Sequence, residues 1–498
     1  MQVRRRWGVT KVRNMARVSR ISPEVRISGF NNDIDTLERA VKERVFFVKS
    51  NGQFVPPPQP LPGHFGKALS QVKRMLVPHL PHASPLSPQS FVETFRGRKK
   101  ALYQKAVESL QSCALTPRDA HVKVFVKYEK TDYTRKSDPV PRVISPRSPR
   151  YNVEIGVFLR PIEEQIFKSL SQLFEGFRTV FKGMNSAESG RRMFELWSSF
   201  RNPVALGLDA SRFDQHVSLD ALVWEHSIYP LCFHQKYRRW LKRLLRLQTV
   251  NHCTGFTEDG KLWYTKIGGR MSGDMNTSLG NCILMCAMIK QYSLDRGVRT
   301  LLANNGDDCV VFMEAEDLER FSQGLDRWFL DMGFSMTVEP PCYNFEEIEF
   351  CQTHPIFVGP RHNDYIMVRH PKWAIAKDTV SLHGFQSDKI YKGWLDAVGT
   401  GGLAMTGGVP VFQDFYQAYQ KHGSPHKVHF DVQSWGVRSL QKDMTRSYGP
   451  ISPETRASFY WAFGVTPDEQ LVLEEFYRSV SLDSRWRTHL EFQTAMPL

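Results

Sequence analysis

Two groups of aspartates in this sequence have the surroundings of metal-binding carboxylates. The first follows the apolar run VALGL, which predicts a buried strand ending at Asp209, with Asp214 on a helical turn that Ser211 could cap. The second is Asn-Asn-Gly-Asp-Asp between two apolar runs, which predicts a hairpin with Asp307 and Asp308 at its tip. Carboxylates are the ligands that Mg²⁺ prefers, and nucleotidyl transfer uses two such ions about 3.5–4 Å apart.

Neither group is specific by itself, because Asp and Gly are common in ordinary solvated turns. Their combination is specific, since both groups lie on strand signals and occur in this order along the chain. We therefore expect Asp209 and Asp307 to lie close enough to share metal ions.

A glycine-rich loop separates the two carboxylate groups. Its glycines are Gly268, Gly269 and Gly273. Apolar residues at helical spacing follow, which predicts a helix capped by Asp274 or Asn276. The predicted buried face of this helix comprises Leu279, Cys282, Ile283, Cys286 and Ile289.

Two polar residues near the start of this helix share one face. Thr277 and Asn281 are four residues apart, and side chains at that spacing are neighbours on a helix. Two short hydrogen-bonding side chains above a glycine loop could recognise a ribose. The alternative is a capped amphipathic helix whose polar residues have no such role.

The segment HVKVFVKYEK alternates apolar and basic residues, which predicts a strand with one basic face. Its two faces would be Val122, Val124 and Val126 on one side and Lys123, Phe125 and Lys127 on the other. A Pro- and Arg-rich loop, PVPRVISPRSPRYN, follows. Elsewhere the patterns predict helices in IDTLERAVKERVFFV and FVETFRGRKKALYQKAVESLQS and a mainly helical C-terminal part.

The composition is that of a basic, globular protein with reduced cysteines. Lys and Arg outnumber Asp and Glu by 66 to 51 in 498 residues, and the charge of +15 suits nucleic acid or a membrane surface, although a merely soluble basic protein also fits. The eight cysteines are scattered without a CxxC pair, which argues against a disulfide scaffold. No apolar stretch approaches the ~18–20 residues that cross a bilayer, and the N-terminus lacks the apolar segment of a secretory signal.

Three segments resemble motifs A, B and C of viral RNA-dependent RNA polymerases. They are GLDASRFDQHVS, SGDMNTSLGN and NGDD, in that order. Together with SPRSPRYNVEIGVFLRPIE upstream and IEFCQTHPIF downstream, they resemble the tombusvirus family and its umbravirus-like relatives. The resemblance covers the chain from about residue 90 to about residue 380.

The resemblance implies an α+β fold, a closed right hand with fingers, a thumb and a palm made of an antiparallel sheet flanked by helices. The expected parts are a basic N-terminal extension at 1–60, fingers at 61–205 with the nucleotide-channel strand and loop near 121–150, a palm at 206–380 with a fingers insertion near 228–262, and a mainly helical thumb at 381–498.

The resemblance also gives the aspartates roles. Asp209 and Asp307 would bind two Mg²⁺ or Mn²⁺ ions, with help from Asp308. Asp214 would accept a hydrogen bond from the ribose 2′-hydroxyl, the group that distinguishes RNA from DNA. Its helpers would be Asn281 and either Ser272 or Thr277.

The basic strand and the loop after it resemble motif F, which covers the nucleotide channel in this family. Triphosphate contacts would come from Lys127, Lys130 and Arg142, with Arg147 and Arg150 as supports. The segment FRGRKK resembles the place where the template enters. RNA contacts would come from Arg96, Arg98, Lys99, Lys100, Arg147, Arg150 and Gly273. The alternatives are a solvated basic strand and a helix with a charged face.

Two downstream segments complete the comparison. Near GFSMTVEPP, where related polymerases often carry a basic general acid for pyrophosphate, this sequence has Thr337 and no adjacent lysine, so that role stays unassigned. IEFCQTHPIF and YIMVRH resemble motif E, the hairpin that holds the primer end. Cys351 and His354 have a spacing that could suit zinc, with further ligands from Cys342, His362 or His370, but most such sets are structural.

Two other functions would use similar motifs. A reverse transcriptase has the same hand, but Asp214 and the ribose-binding set argue against it. An RNA-binding replication protein without activity could keep the fold, but the intact Asp209, Asp307 and Asp308 argue against that.

The resemblance implies partners and a location as well. RNA template, RNA product and NTPs would be bound, together with a membrane-associated viral replication protein or upstream segment. The expected location is the host cytoplasm at membrane-bound replication sites. Readthrough or frameshifting, usual in this family, would mean that Met1 is not the natural start.

Overall fold

Helices and short sheets alternate along the chain in the computed structural model, which describes residues 1–18, 20–425 and 441–482 and the backbone of 487–490. The strands in these ranges are β1 (Gln2–Arg5), β2 (Met15–Val18), β3 (Ile27–Ser28), β4 (Val48–Ser50), β5 (Gln53–Val55), β6 (Val122–Val126), β7 (Thr131–Asp132), β8 (Val143–Ile144), β9 (Pro203–Ala210), β10 (Val250–Thr257), β11 (Gly260–Ile267), β12 (Leu301–Asn305), β13 (Asp308–Glu314), β14 (Met336–Val338), β15 (Thr353–Phe357), β16 (Tyr365–Arg369), β17 (Val380–Ser381) and β18 (Arg487–Leu490).

The α-helices in the same ranges vary from one turn to six turns. They are α1 (Ile34–Val41), α2 (His64–Ala68), α3 (Ser70–Leu76), α4 (Pro88–Glu93), α5 (Gly97–Ser112), α6 (Pro149–Ser171), α7 (Ser186–Trp197), α8 (Phe213–His216), α9 (Leu219–His226), α10 (Gln235–Arg246), α11 (Thr277–Arg296), α12 (Leu318–Ser322), α13 (Leu325–Asp331), α14 (Pro371–Asp378), α15 (Asp388–Thr406), α16 (Phe412–His422), α17 (Pro453–Phe463) and α18 (Pro467–Ser479). In the part of the chain that the structure describes, none of them is long and apolar enough to span a membrane.

A four-stranded antiparallel sheet with the order β12-β13-β9-β14 carries the two aspartate groups. Its central strand β9 is buried from Val204 to Leu208, as the apolar run predicted. The hairpin predicted around Asn-Asn-Gly-Asp-Asp is confirmed, since β12 and β13 pair from Leu301 with Phe312 to Asn305 with Asp308. The sheet therefore brings residues from distant parts of the sequence to one end.

Helix α11 supports this sheet and is more buried than the sequence predicted. We expected one buried face, yet every residue from Leu279 to Ile289 is buried. The helix touches α3, α6, α9 and β12, so neighbours cover it on all sides. A helix that is apolar nearly all round is typical of the core of a large protein.

A five-stranded sheet with the order β1-β11-β10-β6-β8 lies elsewhere in the chain. Its inner face packs on α1, and the predicted alternation of β6 is confirmed, with Val122, Val124 and Val126 buried. Helix α1 approaches the sheet closely at Gly255, where an added Cβ atom would lie 2.6 Å from the Leu37 side chain. Residues 250–267 thus pair with β6 rather than with the aspartate sheet.

The N-terminal segment takes part in two sheets. Strand β1 pairs with β11, and β2 pairs with β17 and β18. The region expected as a basic extension at 1–60 is therefore integrated into the fold. Of the region expected as the thumb, 381–498, the described parts contain mainly helices α15 to α18, and the remainder lies outside the described residues.

Two predicted helices differ from the structure. The helix predicted over residues 91–112 is broken into α4 and α5, because Gly97 takes a left-handed backbone conformation with φ +54°. The helix predicted over residues 34–48 ends at Val41 and continues as one π-helical turn, Lys42–Phe46. Local bends of this kind need tertiary contacts that periodicity does not show.

Candidate active site

Asp209 stands between two neighbouring strands at the end of the four-stranded sheet. Its register partner on β13 is Asp308, and its partner on β14 is Thr337. Residues directly opposite each other in an antiparallel ladder project to the same face with Cβ atoms about 4.5–5.5 Å apart. The carboxylates of Asp209 and Asp308 therefore share one face, and the position left unassigned in the sequence lies beside them.

The turn that carries Asp307 is held by one side chain. Gly306 has φ +89°, a conformation that glycine adopts without strain. The Asn304 amide donates to the Gly306 carbonyl at 2.7 Å, and its oxygen accepts from the Gly306 N–H at 3.2 Å. Asn304 is fully buried, so this clamp fixes the turn from below.

Desolvation and neighbouring negative charge raise the pKa of Asp209 and that of Asp308. Loss of surrounding water raises the pKa of Asp209, and the charge of Asp307 adds to this. The same two causes raise the pKa of Asp308 to about 6, although solvent still reaches its side chain. Lys182 lowers the pKa of Asp308 and Lys136 that of Asp209, but more weakly. Bringing a divalent cation to this face would relieve the repulsion.

The donor set at this face fits hard divalent cations. Among the described residues no three His, Cys, Asp or Glu side chains converge closely enough to hold a metal ion. However, Asp209, Asp307 and Asp308 are exposed, and none of them is ion-paired to a described Lys or Arg. Exposed carboxylates change rotamer easily, so they can turn toward a common ion.

Asp214 and Asn281, the two residues expected to act together on a ribose, are hydrogen-bonded to each other. The Asn281 amide donates to the Asp214 carboxylate at 2.8 Å. Desolvation raises the pKa of Asp214, and the bond from Asn281 opposes that shift. The predicted cap is wrong: α8 is preceded by Arg212 with φ +47°, without a side-chain cap, and Ser211 takes no part.

A buried ion pair supports Asn281. The Arg270 guanidinium donates to the Asn281 oxygen at 3.0 Å and also pairs with Glu225. Both side chains of the ion pair are 0% exposed, and Tyr229 and Asn276 donate to the same carboxylate at 2.5 and 3.0 Å. Burial would raise the pKa of Glu225, but the charges of Arg270 and His226 and the hydrogen bonds from Arg270 and Tyr229 together outweigh it, so the pKa is lowered. No motif or spacing predicted this ion pair.

The predicted caps of α11 have other partners. Asn276 occupies the cap position but its side chain bonds to Glu225 and Gln248 instead. Asp274 forms a buried ion pair with Arg147 at 2.5 Å. The helix start is therefore fixed by tertiary contacts rather than by its own cap.

The glycine-rich loop uses its hydroxyls and its glycine for packing. Ser272 Oγ accepts from the Ser145 N–H at 3.1 Å, and Thr277 Oγ1 donates to the Met271 carbonyl at 2.8 Å. At Gly273 a Cβ atom would lie 2.6 Å from the backbone of Pro146. Ser272 and Gly273 thus attach the loop to the segment after β8, and Thr277 bonds within the loop.

The expected triphosphate contacts divide into two sets. Lys127 and Arg142 both pair with Glu129, at 3.0 and 3.2 Å, and the Arg142 side chain is 58% exposed. Lys130 instead donates to the Lys377 carbonyl at 2.6 Å, and burial lowers its pKa to about 8. Lys127 and Arg142 thus lie together beside Glu129, while Lys130 points toward α14.

Arg147 and Arg150 are placed differently from the sequence expectation. The Arg147 side chain is 0% exposed and bonds to Asp274 and Asn251, so in this structure it is closed to a ligand. Arg150 bonds to Asp119 at 2.9 Å and to the Cys113 carbonyl at 2.8 Å. A buried guanidinium needs such partners to offset its desolvation, and they are too distant in sequence to be foreseen.

The basic residues around the start of α5 are at the surface. Arg96 precedes the helix, and Arg98 and Lys99 lie in its first turn, all exposed. Lys99 stands 5.1 Å from the Phe95 ring, and Lys100 pairs with Glu93. Sequence reasoning missed Lys182, whose ammonium would lie 3.7 Å from a Cβ atom at Gly306.

The hairpin expected from motif E is present, since β15 and β16 pair antiparallel. Cys351 accepts a hydrogen bond from Asn305 at 3.1 Å, which links this hairpin to the Asp307 turn. His354 lies 3.1 Å from the Glu346 carbonyl and 3.6 Å from Glu349. The zinc set considered in the sequence does not assemble among the described residues.

Comparison with known proteins adds to this geometry. A family model described as viral RNA-dependent RNA polymerase matches residues 1–485. The chain is 52% identical to the RNA-directed RNA polymerase of oat chlorotic stunt virus, covering 97% of this chain and 66% of that protein. It is 43% identical to that of tobacco necrosis virus strain A, covering 95% and 65%, and 40% identical to that of turnip crinkle virus, covering 96% and 61%. The chain thus spans just under two thirds of these relatives.

Proposed function

Because this chain belongs to the viral RNA-dependent RNA polymerase family, we propose that it copies RNA templates into RNA from ribonucleoside triphosphates. The observation that carries this proposal is the register of Asp209 with Asp308 beside the Asp307 turn. That arrangement gathers hard oxygen ligands on one exposed face, next to the Asp214–Asn281 pair.

The proposed chemistry is a phosphoryl transfer in which positioning and charge do most of the work. Bound Mg²⁺ or Mn²⁺, two ions in the proposal, would activate the primer 3′-hydroxyl and neutralise the leaving pyrophosphate. Asp209, Asp307 and Asp308 would hold these ions. Asp214 would accept a hydrogen bond from the ribose 2′-hydroxyl, with the Asn281 amide beside it.

The exposed cations would bind phosphate groups. Lys127 and Arg142 would exchange Glu129 for the incoming triphosphate, since phosphate offers more acceptors and charge than one carboxylate. Arg96, Arg98 and Lys99 would contact the template. The remaining expected residues, Lys130, Arg147, Arg150, Ser272, Thr277 and Gly273, would act through the shape of the channel.

The wider proposal concerns the parts of the protein and its setting. The four-stranded sheet would be the palm of a right hand, with the five-stranded sheet in the fingers and the C-terminal helices in the thumb. We place the reaction in the host cytoplasm, at membrane-bound replication sites, with a membrane-associated viral replication protein or upstream segment as partner. The length of the relatives beyond this chain supports such a further segment.

A template-directed RNA synthesis assay tests the proposal. The purified chain is incubated with a short RNA template, NTPs and Mg²⁺ or Mn²⁺, beside the Asp307→Asn variant. We expect template-dependent RNA product from the unaltered chain and almost none from the variant. Equal product from both would refute the proposed role of Asp307.

Experiments on the same purified protein distinguish two other functions. A reverse transcriptase would incorporate deoxynucleotides as well as ribonucleotides, which the Asp214–Asn281 pair argues against. A non-catalytic RNA-binding protein would bind RNA with a steep salt dependence and yield no product under any metal condition.

A further inference from the structure

The outer face of the five-stranded sheet is open to solvent and carries aromatic side chains. Phe125 on β6, Phe256 on β10 and Trp263 on β11 are 39%, 60% and 37% exposed. The opposite face of the same sheet is filled by α1. Isolated exposed apolar residues are ordinary, but three rings on one sheet face are not.

Pairing registers place basic residues between these rings. Lys261 is opposite Phe256 on one side and Arg4 on the other, and its ammonium lies 5.0 Å from the Phe256 ring and 5.4 Å from the Trp263 ring. Lys123 is opposite Thr254, which in turn is opposite Trp263. Both cross-strand rows therefore contain a ring and at least one cation.

The charge of this face has one sign. The five strands contain basic residues but no Asp or Glu at any position. The acidic residues of the β10–β11 turn are engaged elsewhere: Asp259 accepts from the Ile34 N–H and Glu258 from the Lys11 N–H. An anionic ligand would thus meet no repelling carboxylate along the strands.

A cavity of about 690 Å³ adjoins the β10–β11 turn of this sheet, and Phe256 lines it. Arg6 and Arg13 also line it, and their guanidinium groups bond to backbone carbonyls rather than to carboxylates, Arg6 to Glu258 and Arg13 to Val126. The wall therefore carries the cations Arg6, Lys11 and Arg13 and one carboxylate, Glu258, which accepts from the Lys11 N–H.

We propose that this sheet face and the adjoining cavity bind single-stranded RNA at a site separate from the aspartate site. Exposed rings stack on bases of any sequence, and neighbouring cations follow the phosphate backbone, which is how sequence-tolerant single-strand binding surfaces work. A membrane surface would share the attraction to this charge, and binding to anionic vesicles distinguishes it from RNA. The site rests on RNA being the substrate, and would hold template or product outside the catalytic cavity.

Photocrosslinking locates the bound RNA directly. Short oligouridylate containing 5-iodouridine is irradiated with the full chain in the absence of NTPs, and crosslinked peptides are identified by mass spectrometry. We expect crosslinks at Phe256 and Trp263. Crosslinks confined to peptides around Asp209, Asp307 and Arg142 would overturn the proposal while leaving the proposed polymerase intact.

Affinity measurements with matched variants give the second readout. Phe256→Ala with Trp263→Ala should weaken oligouridylate binding about thirtyfold or more, since each ring stacked on a base contributes roughly fivefold or more. Lys123→Ala with Lys261→Ala should reduce the slope of log affinity against log salt by about 1.4, from about 0.7 per removed charge. The control Trp461→Ala removes a ring of similar exposure, 55%, on α17 and should change neither quantity.

Other occupants of the face give different results. If the variants keep the affinity and salt slope of the unaltered chain, single-stranded RNA does not bind there. If they lose sedimentation with anionic vesicles while keeping RNA affinity, the face is a membrane surface and the proposal fails. Because binding is measured without turnover, failure of polymerisation would not affect these outcomes.

Discussion

Asp209 and Asp308 are direct register partners across the β9–β13 ladder, although they are far apart in the sequence. A slip of one residue would turn one of the two carboxylates to the opposite face of the sheet. The proposed metal-binding face therefore depends on strand pairing as much as on the aspartates themselves. The turn at Gly306 and its Asn304 clamp belong to the neighbouring β12–β13 hairpin, which places Asp307 and Asp308 at its tip.

We predict that metal affinity rises with pH through about 6. The pKa of Asp308 is about 6 in the metal-free protein, raised by desolvation and by Asp307, and a cation must displace that proton. Below pH 6 the carboxyl is mostly protonated, so affinity for Mn²⁺ should fall up to tenfold for each pH unit. Mn²⁺ titration followed by electron paramagnetic resonance measures this.

The matched variant for this titration is Asp308→Asn. It should bind Mn²⁺ more weakly at neutral pH and lose the step near pH 6, because the titrating group is gone. An unchanged step in the variant would assign the titration to another group.

Gly306→Ala should disturb the hairpin turn. The added methyl has room, with Lys182 at 3.7 Å, but φ +89° is strained for alanine and costs about 1–3 kcal/mol. We expect RNA synthesis to fall more than tenfold as Asp307 shifts. Gly297→Ala is the control, since Gly297 also has positive φ, 62°, but ends α11 in open space, and it should lower stability without affecting turnover.

Asn281→Ala should weaken sugar discrimination. Asp214 would lose its 2.8 Å hydrogen bond and its fixed orientation, so the 2′-hydroxyl would meet a poorly positioned acceptor. We expect the ratio of kcat/KM for NTP over dNTP to fall on the order of 10-fold to 100-fold. Single-nucleotide incorporation with each substrate measures the ratio, and an unchanged ratio would remove Asn281 from ribose recognition.

Arg270→Met should destabilise the protein strongly. It leaves Glu225 charged and buried without its cation, which costs about 3–5 kcal/mol of unfolding free energy. Adding Glu225→Leu should restore only part of this, because Tyr229 and Asn276 lose their acceptor. Chemical denaturation of the single and double variants measures the effect, and a fully additive pair would contradict the coupling.

The sequence predicted those parts of the candidate site whose geometry depends only on residues that are neighbours along the chain. The Asn-Gly turn, the apolar strand before Asp209 and the alternation of β6 each need only neighbouring residues, and each is confirmed. The Asp214–Asn281 bond also agrees with the expected ribose set.

Partners distant in the sequence could not be foreseen. Arg147 was expected to support the triphosphate contacts and to contact RNA, but its guanidinium is buried against Asp274, which lies 127 residues away in the sequence. The Arg270–Glu225 pair had no signal at all, because neither residue lies in a spacing that marks an ion pair. Burial of a charge is decided by tertiary packing, which composition and periodicity do not encode.

The first two strands have a mechanical consequence. Strand β1 is fixed to the five-stranded sheet and β2 to β17 and β18, with residues 6–14 between them. Nine extended residues reach roughly 30 Å at ~3.3–3.6 Å each. The segment therefore limits how far the five-stranded sheet and the sheet of β2, β17 and β18 could separate while β1 and β2 both stay paired.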